Sequence, residues 1–95
     1  MAVVSNDLPG HELVAAGLAD VDAGRQTEAA LLVRMAGPRL RRLGFLVPEA
    51  GGVRAAHELY DLLSEADPAT AHSRYNALTR RILSFARAAE HASAG

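Results

Sequence analysis

The segment His57-Glu58-Leu59-Tyr60-Asp61 contains the residue types best suited to chemistry. In zinc-binding helices, two ligands at positions i and i+4 flank a glutamate that acts as a general base. Here an aspartate stands where the second histidine would be, and no further ligand is evident downstream. We therefore expect an ordinary amphipathic helix with His57 and Asp61 as surface neighbours. We assign no catalytic residue, no metal ligand and no cofactor site in the chain.

A cluster of arginines is the second candidate for a site. All ten basic residues are arginine, and four of them form the cluster: Arg34, Arg39, Arg41 and Arg42. Clustered arginines can contact the phosphates of nucleic acid. A helix-turn-helix is not predicted, because a helix starting after Gly37 would end at Gly44, too short to lie along a major groove. Three interpretations stay open: solvated arginines, a protein partner, or nucleic-acid contact.

The stretch from Asp67 to about His91 is predicted to form one long amphipathic helix. We expect Asp67 to cap it and Pro68 to occupy its first position. Its apolar residues recur at alternating steps of four and three and form one seam: Ala71, Tyr75, Leu78, Ile82, Phe85 and Ala89. A seam this regular must be covered, either by the rest of the chain or by another molecule.

The same helix contains the residues that we predict to bind a partner, namely Arg74, Arg80, Arg81, Leu83 and Arg87. Arg74 and Arg81 flank the seam at a spacing of seven. Leu83 is an apolar residue at an otherwise polar position, so it is a candidate anchor with arginines around its rim.

Four shorter helices are predicted upstream of this one. The first begins near Asp7 and ends before Gly24, a typical helix stop. Thr27 is expected to cap the second, which runs to about Ala36 and is so apolar that we expect burial on most sides. The third is short, from Arg39 to Leu43, and the fourth runs from Val53 to Ala66.

The connections complete the predicted fold. Phe45-Leu46-Val47-Pro48 is expected to lie across the core as an apolar plug, and residues 49–52 are expected to form a loop. The fourth helix should turn a stripe toward the core, composed of Val53, Ala56, Tyr60 and Leu63 and widened by Leu59 and Leu62. The short Ala66-Asp67 connection predicts an antiparallel C-terminal hairpin. The fold class is therefore all-α, a small bundle of short helices followed by a helical hairpin, in one domain over 1–95 with 1–7 loose.

Composition predicts a thin core. The chain has 95 residues, and 20 of its hydrophobic residues are alanine, which favours helices but buries little area. Such a core is often completed by a partner or by oligomerisation, so a homo-oligomer stays open. The net charge of −1 conceals segments of alternating sign, which favours opposite charges on neighbouring helices. Without cysteine, a leader pattern or a long apolar run, the chain is expected to be cytoplasmic.

Two stretches resemble a known family. They are Thr27 to Val33 followed by Gly37 to Gly44, and Ser73 to Leu78 followed by Ser84 to Ala88. Together they resemble small helical antitoxins paired with minimal nucleotidyltransferase toxins in bacterial toxin–antitoxin operons. The resemblance implies an inhibitor rather than an enzyme, which would bind its cognate toxin and occlude the nucleotide or acceptor-RNA site. The alternative is a transcriptional regulator that binds nucleic acid through residues 34–42.

Overall fold

The computed structural model describes residues 7–48 and 52–94, and these residues form helices but no strand. The helices are α1 (His11–Asp22), α2 (Glu28–Met35), α3 (Gly37–Arg42), α4 (Gly52–Ala66) and α5 (Ala71–Ala94). The prediction of an all-α protein is confirmed. Most of the predicted loose N terminus (1–6) and most of the predicted 49–52 loop (49–51) lie outside the described residues.

Local sequence signals place α1 and α2. The predicted start at Asp7 is wrong, because residues 7–10 form a turn in which Leu8 O accepts a hydrogen bond from His11 N–H at 3.3 Å. The predicted stop is right, since Gly24 follows α1 with φ 77°. Thr27 caps α2 as expected, its Oγ1 accepting from Ala30 N–H at 3.2 Å.

α1 packs closely on α2 at Gly17. A Cβ atom at this position would meet Val33 Cγ2 and would lie 2.5 Å from the carbonyl oxygen of Ala29. Only a residue without a side chain permits this approach, so Gly17 sets the distance between the two helices.

α2 occupies the centre of the bundle, as its apolar composition predicted. Its residues 30–33 are buried, and α2 packs on α1 and on α4. The predicted plug is half right: Phe45 and Val47 are buried, but Leu46 between them points outward. Phe45 lies against the fully buried Phe85 of α5, with ring centroids 5.9 Å apart.

The predicted core stripe of α4 is correct at Leu59 and Leu63 but wrong at Tyr60. The buried row is Ala55, Leu59 and Leu63, whereas Tyr60 is 38% exposed and lies against Tyr75 of α5. Residues four apart lie on one side of a helix, and this row faces α2, where the small Ala55 allows close packing. Of the predicted stripe, Leu59 and Leu63 are fully buried, and the Val53 side chain is outside the description.

α5 begins later than predicted but keeps its seam. Residues 67–70 form a turn in which the Asp67 carboxylate accepts from Ala69 N–H at 3.2 Å, so the helix starts at Ala71. The seam residues are buried or packed against the core, and α5 is about 36 Å long. The rest of the chain therefore covers most of this seam, although Tyr75 and Leu78 stay partly exposed. The large hydrophobic residues found exposed in the described part are Leu46 and Tyr60.

Candidate partner-binding surface

The arginines of the described chain divide into two groups by their contacts. Six have a carboxylate or carbonyl acceptor: Arg25, Arg39, Arg41, Arg54, Arg74 and Arg81. Four have no acceptor within residues 7–48 and 52–94: Arg34, Arg42, Arg80 and Arg87. Of this second group, Arg42, Arg80 and Arg87 are exposed and can reach a partner, whereas Arg34 is partly buried.

Arg74 and Arg81 belong to the first group, although both side chains stay partly exposed. Arg74 Nη2 lies 3.2 Å from Glu28 of α2, and Arg81 Nη2 lies 2.9 Å from Glu12 of α1. Alternating charge along the sequence therefore does bring opposite charges together between helices. The acids that meet these arginines come from α2 and α1, so both ion pairs join α5 to the first half of the chain.

Three of the predicted partner-binding residues lie together on the outside of α5. Arg80 and Arg87 are exposed and Leu83 is half-buried. Their spacing of three and four residues places them on one side of a helix. We call this group the basic face of α5. It combines an apolar centre with two cationic ends, which is the arrangement found where an apolar anchor is surrounded by a polar rim.

A second group of charges surrounds Glu90 near the end of α5. Arg39 Nε and Nη2 each donate a hydrogen bond of 2.7 Å to its carboxylate. The hydrogen bond from Arg39 lowers the pKa of Glu90, and the charges of Arg39, Arg42 and Arg87 lower it further. We call these four residues the Glu90 cluster. It joins residues from α3 and α5 and has a net positive charge, and Arg87 links it to the basic face of α5.

The four arginines predicted as one nucleic-acid contact have four different environments. Arg34 lines a polar cavity of about 430 Å³ between α2 and α4, and its Nε is buried without a hydrogen-bond acceptor in the described chain. Arg39 is paired with Glu90, and Arg41 Nη1 donates to the carbonyl oxygen of Pro48 at 2.8 Å. Arg42 is exposed. The contribution of these four residues to binding nucleic acid stays a prediction, and Arg42 is the member best placed for it.

His57 and Asp61 are both exposed on α4. His57 borders a shallow groove of about 290 Å³ with Tyr60, His72, Tyr75 and Asn76. Within the described ranges, no three histidine or acidic side chains come together in a way that could hold a metal ion.

Sequence inspection missed two features of this surface. The Glu90 cluster depends on a contact between residues 51 positions apart, for which the chain contains no local signal. The outward direction of Leu46 was also missed, although alternation along an extended segment could have indicated it. With Phe45 and Val47 turned inward, the residue between them must point to solvent.

Comparison with family models, with curated proteins and with solved structures finds no match to this chain. In the part of the chain that the structure describes, none of the helices has the length and apolar character needed to cross a membrane.

Proposed function

We propose that this chain is a non-enzymatic helical interaction protein that acts as an antitoxin. It binds a cognate nucleotidyltransferase-type toxin and inhibits it by covering the active site. The observation that supports binding is the basic face of α5, where Arg80 and Arg87 flank Leu83 without an acceptor in the described chain. The choice of a toxin as partner rests on the family resemblance.

The charge of this face suits the partner. Active sites that transfer nucleotides commonly use carboxylates to hold Mg²⁺ against substrate phosphates, so the protein surface around them is acidic. Arg80 and Arg87 supply the opposite charge, and Leu83 supplies an apolar contact between them. Complementary charge would speed association, while burial of the central contact would slow dissociation.

We further propose that α4 and α5 form an antiparallel hairpin that presents this face. Four residues, 67–70, separate the two helices, and Tyr60 and Tyr75 lie with ring centroids 5.6 Å apart. Tyr60 is six positions before the end of α4 and Tyr75 is in the first turns of α5, as a hairpin requires. The hairpin would support α5 from one side and leave its basic face open.

The experiment is coexpression with the product of the neighbouring open reading frame, followed by purification of the complex and a titration of toxin activity. The double variant Arg80→Ala/Arg87→Ala should bind at least about tenfold more weakly, which corresponds to about 1.4 kcal/mol. Arg54→Ala is the control, because Arg54 is also exposed but lies on α4, where it pairs with Glu58 of the same helix. If the neighbour is neither bound at micromolar concentration nor inhibited, the proposal fails.

A second candidate function is a regulator that binds nucleic acid. It is favoured by the Glu90 cluster, in which Arg39 contacts the carboxylate and the charges of Arg42 and Arg87 also lower its pKa. Phosphate contacts release counterions, so affinity for a DNA duplex should fall steeply as salt rises. Fluorescence anisotropy with a labelled duplex would measure this affinity. Arg42→Ala should reduce the slope of log affinity against log salt concentration by roughly one, which corresponds to one phosphate contact. Absence of binding even at low salt would exclude this function.

A further inference from the structure

Leu46 has an unusual position for a large aliphatic residue. It is 93% exposed, whereas its neighbours Phe45 and Val47 are only 8% and 6% exposed. Single exposed apolar residues are common, so exposure alone would not distinguish Leu46. Leu46, however, extends from a segment that is attached to the core on both sides.

Several contacts hold that segment in place. Phe45 packs on Phe85, and Phe45 N–H donates to Leu40 O at 3.0 Å. On the other side, Arg41 Nη1 donates to Val47 O at 3.3 Å and to Pro48 O at 2.8 Å. Because its backbone is anchored, Leu46 is held outward before any partner arrives, and little conformational entropy would be lost when it is buried.

A groove of about 410 Å³ lies beside Leu46. Its apolar lining includes the half-buried Leu18 and Val21 from the end of α1. Asp22 and Arg41 line it as well, so the groove contains one charge of each sign. The same surface therefore offers a protruding leucine, an apolar groove, an acid and a base.

We propose that this surface binds a second copy of the same chain in a two-fold symmetric dimer. In such a contact one surface must be complementary to itself. A two-fold axis would place Leu46 of each copy in the groove of the other, and would place Asp22 of one copy beside Arg41 of the other. The surface carries both members of two complementary pairs, the protruding Leu46 with the groove and Asp22 with Arg41. A second copy of the chain would satisfy both pairs twice, which is why we choose it as the partner. The contact is distinct from the basic face of α5.

Sedimentation equilibrium of the purified chain over a wide concentration range tests the proposal. The average mass should rise from the monomer value of 10.0 kDa toward twice that value. Leu46→Ser should weaken self-association at least about tenfold, whereas Tyr60→Ser, at the other exposed large hydrophobic residue, should leave it unchanged. Circular dichroism should show both variants folded, since Leu46 is 93% exposed and Tyr60 lies outside the buried row of α4.

A second variant tests the same surface without changing Leu46. Asp22→Arg would place like charges opposite each other across the two-fold axis, so it should also weaken the dimer. A wild-type chain that stays monomeric at all concentrations would overturn the proposal, and so would a dimer that neither variant disturbs. Arg80→Ala/Arg87→Ala should leave the dimer intact, so failure of this inference is distinguishable from failure of the antitoxin proposal.

Discussion

Arg39 of α3 and Glu90 of α5 form a two-point ion pair across 51 positions of sequence. Arg39 Nε donates to Oε2 and Nη2 donates to Oε1, each at 2.7 Å. Paired charged hydrogen bonds of this kind fix direction as well as distance. The short helix α3, which has only six residues, is therefore attached to the end of the longest helix.

Arg39→Ala should lower the urea midpoint of unfolding, because it removes both hydrogen bonds and leaves Glu90 without its main partner. Arg80→Ala should leave the midpoint unchanged, since Arg80 is exposed on the same helix as Glu90 and has no acceptor in the described chain. A double-mutant cycle with Glu90→Ala should give a favourable coupling between Arg39 and Glu90. Equal midpoints for Arg39→Ala and Arg80→Ala would contradict a stabilising role for the pair.

Stability should fall in acid partly through Glu90. Its pKa is lowered by the hydrogen bond from Arg39 and by nearby arginine charges. A carboxylate whose folded pKa lies below its unfolded value of about 4.3 adds stability above that pH and loses it as the pH falls through the folded value. Glu90→Gln should therefore be less stable than wild type at neutral pH, and the difference should shrink below about pH 4.

Urea unfolding between pH 7 and pH 3 would measure this difference. Some acid sensitivity should remain in Glu90→Gln, because the pKa of Glu12 is also lowered, first by a hydrogen bond from its backbone N–H. A difference between wild type and Glu90→Gln that is constant across the range would show that Glu90 does not titrate as expected.

Gly17→Ala should destabilise the protein by about 2 kcal/mol, the usual size of an overpacking effect. The added Cβ would collide with Val33 and with the backbone carbonyl of Ala29. Adding Val33→Ala should not rescue stability, because the collision with the backbone would remain. Chemical denaturation measures both variants, and Ala19→Gly on the exposed side of α1 is a control for propensity, which should cost about 1 kcal/mol. A neutral Gly17→Ala would mean that α1 and α2 are farther apart than described.

Thr27→Ala should cost about 1–2 kcal/mol, as expected for loss of a helix N-cap. The Thr27 hydroxyl accepts from Ala30 N–H and also donates to Asp20 at 2.6 Å, so it links the start of α2 to α1. Thr27→Ser keeps the hydroxyl and should stay within about 0.5 kcal/mol of wild type. Thermal unfolding of both variants compares them directly, and equal losses would show that the methyl group of Thr27 matters more than the cap.

The correct predictions from sequence rest on short-range signals. Thr27 and Gly37-Pro38 delimit α2 because a cap and a proline act on the backbone within a few residues. The seam of α5 was recognised because apolar residues at steps of three and four must lie on one side of any helix. Two predicted helix starts, at Asp7 and Asp67, are occupied by turns, and α3 starts at Gly37, two residues before the predicted Arg39. A turn and a first helical turn have similar local preferences, so sequence alone distinguishes them poorly.

The rotation of α4 shows what short-range signals cannot supply. Two overlapping apolar rows run along this helix, one through Tyr60 and one through Leu59. Packing against α2 selects the row with Leu59, because that row has the small Ala55 at its contact and buries whole aliphatic side chains. Tyr60 keeps its ring against Tyr75 and part of its surface in solvent.

Helix content, most helix ends and the apolar face of α5 were thus encoded locally, since each depends on residues within one or two turns. Local sequence did not determine which arginines pair with acids of the same chain and which stay unpaired within the described residues. Arg74 and Arg80 are both arginines on one helix, yet Glu28 pairs with the first and no described acid pairs with the second. Which acid meets which arginine depends on how the helices dock, because electrostatic contact needs closeness in space and not in sequence.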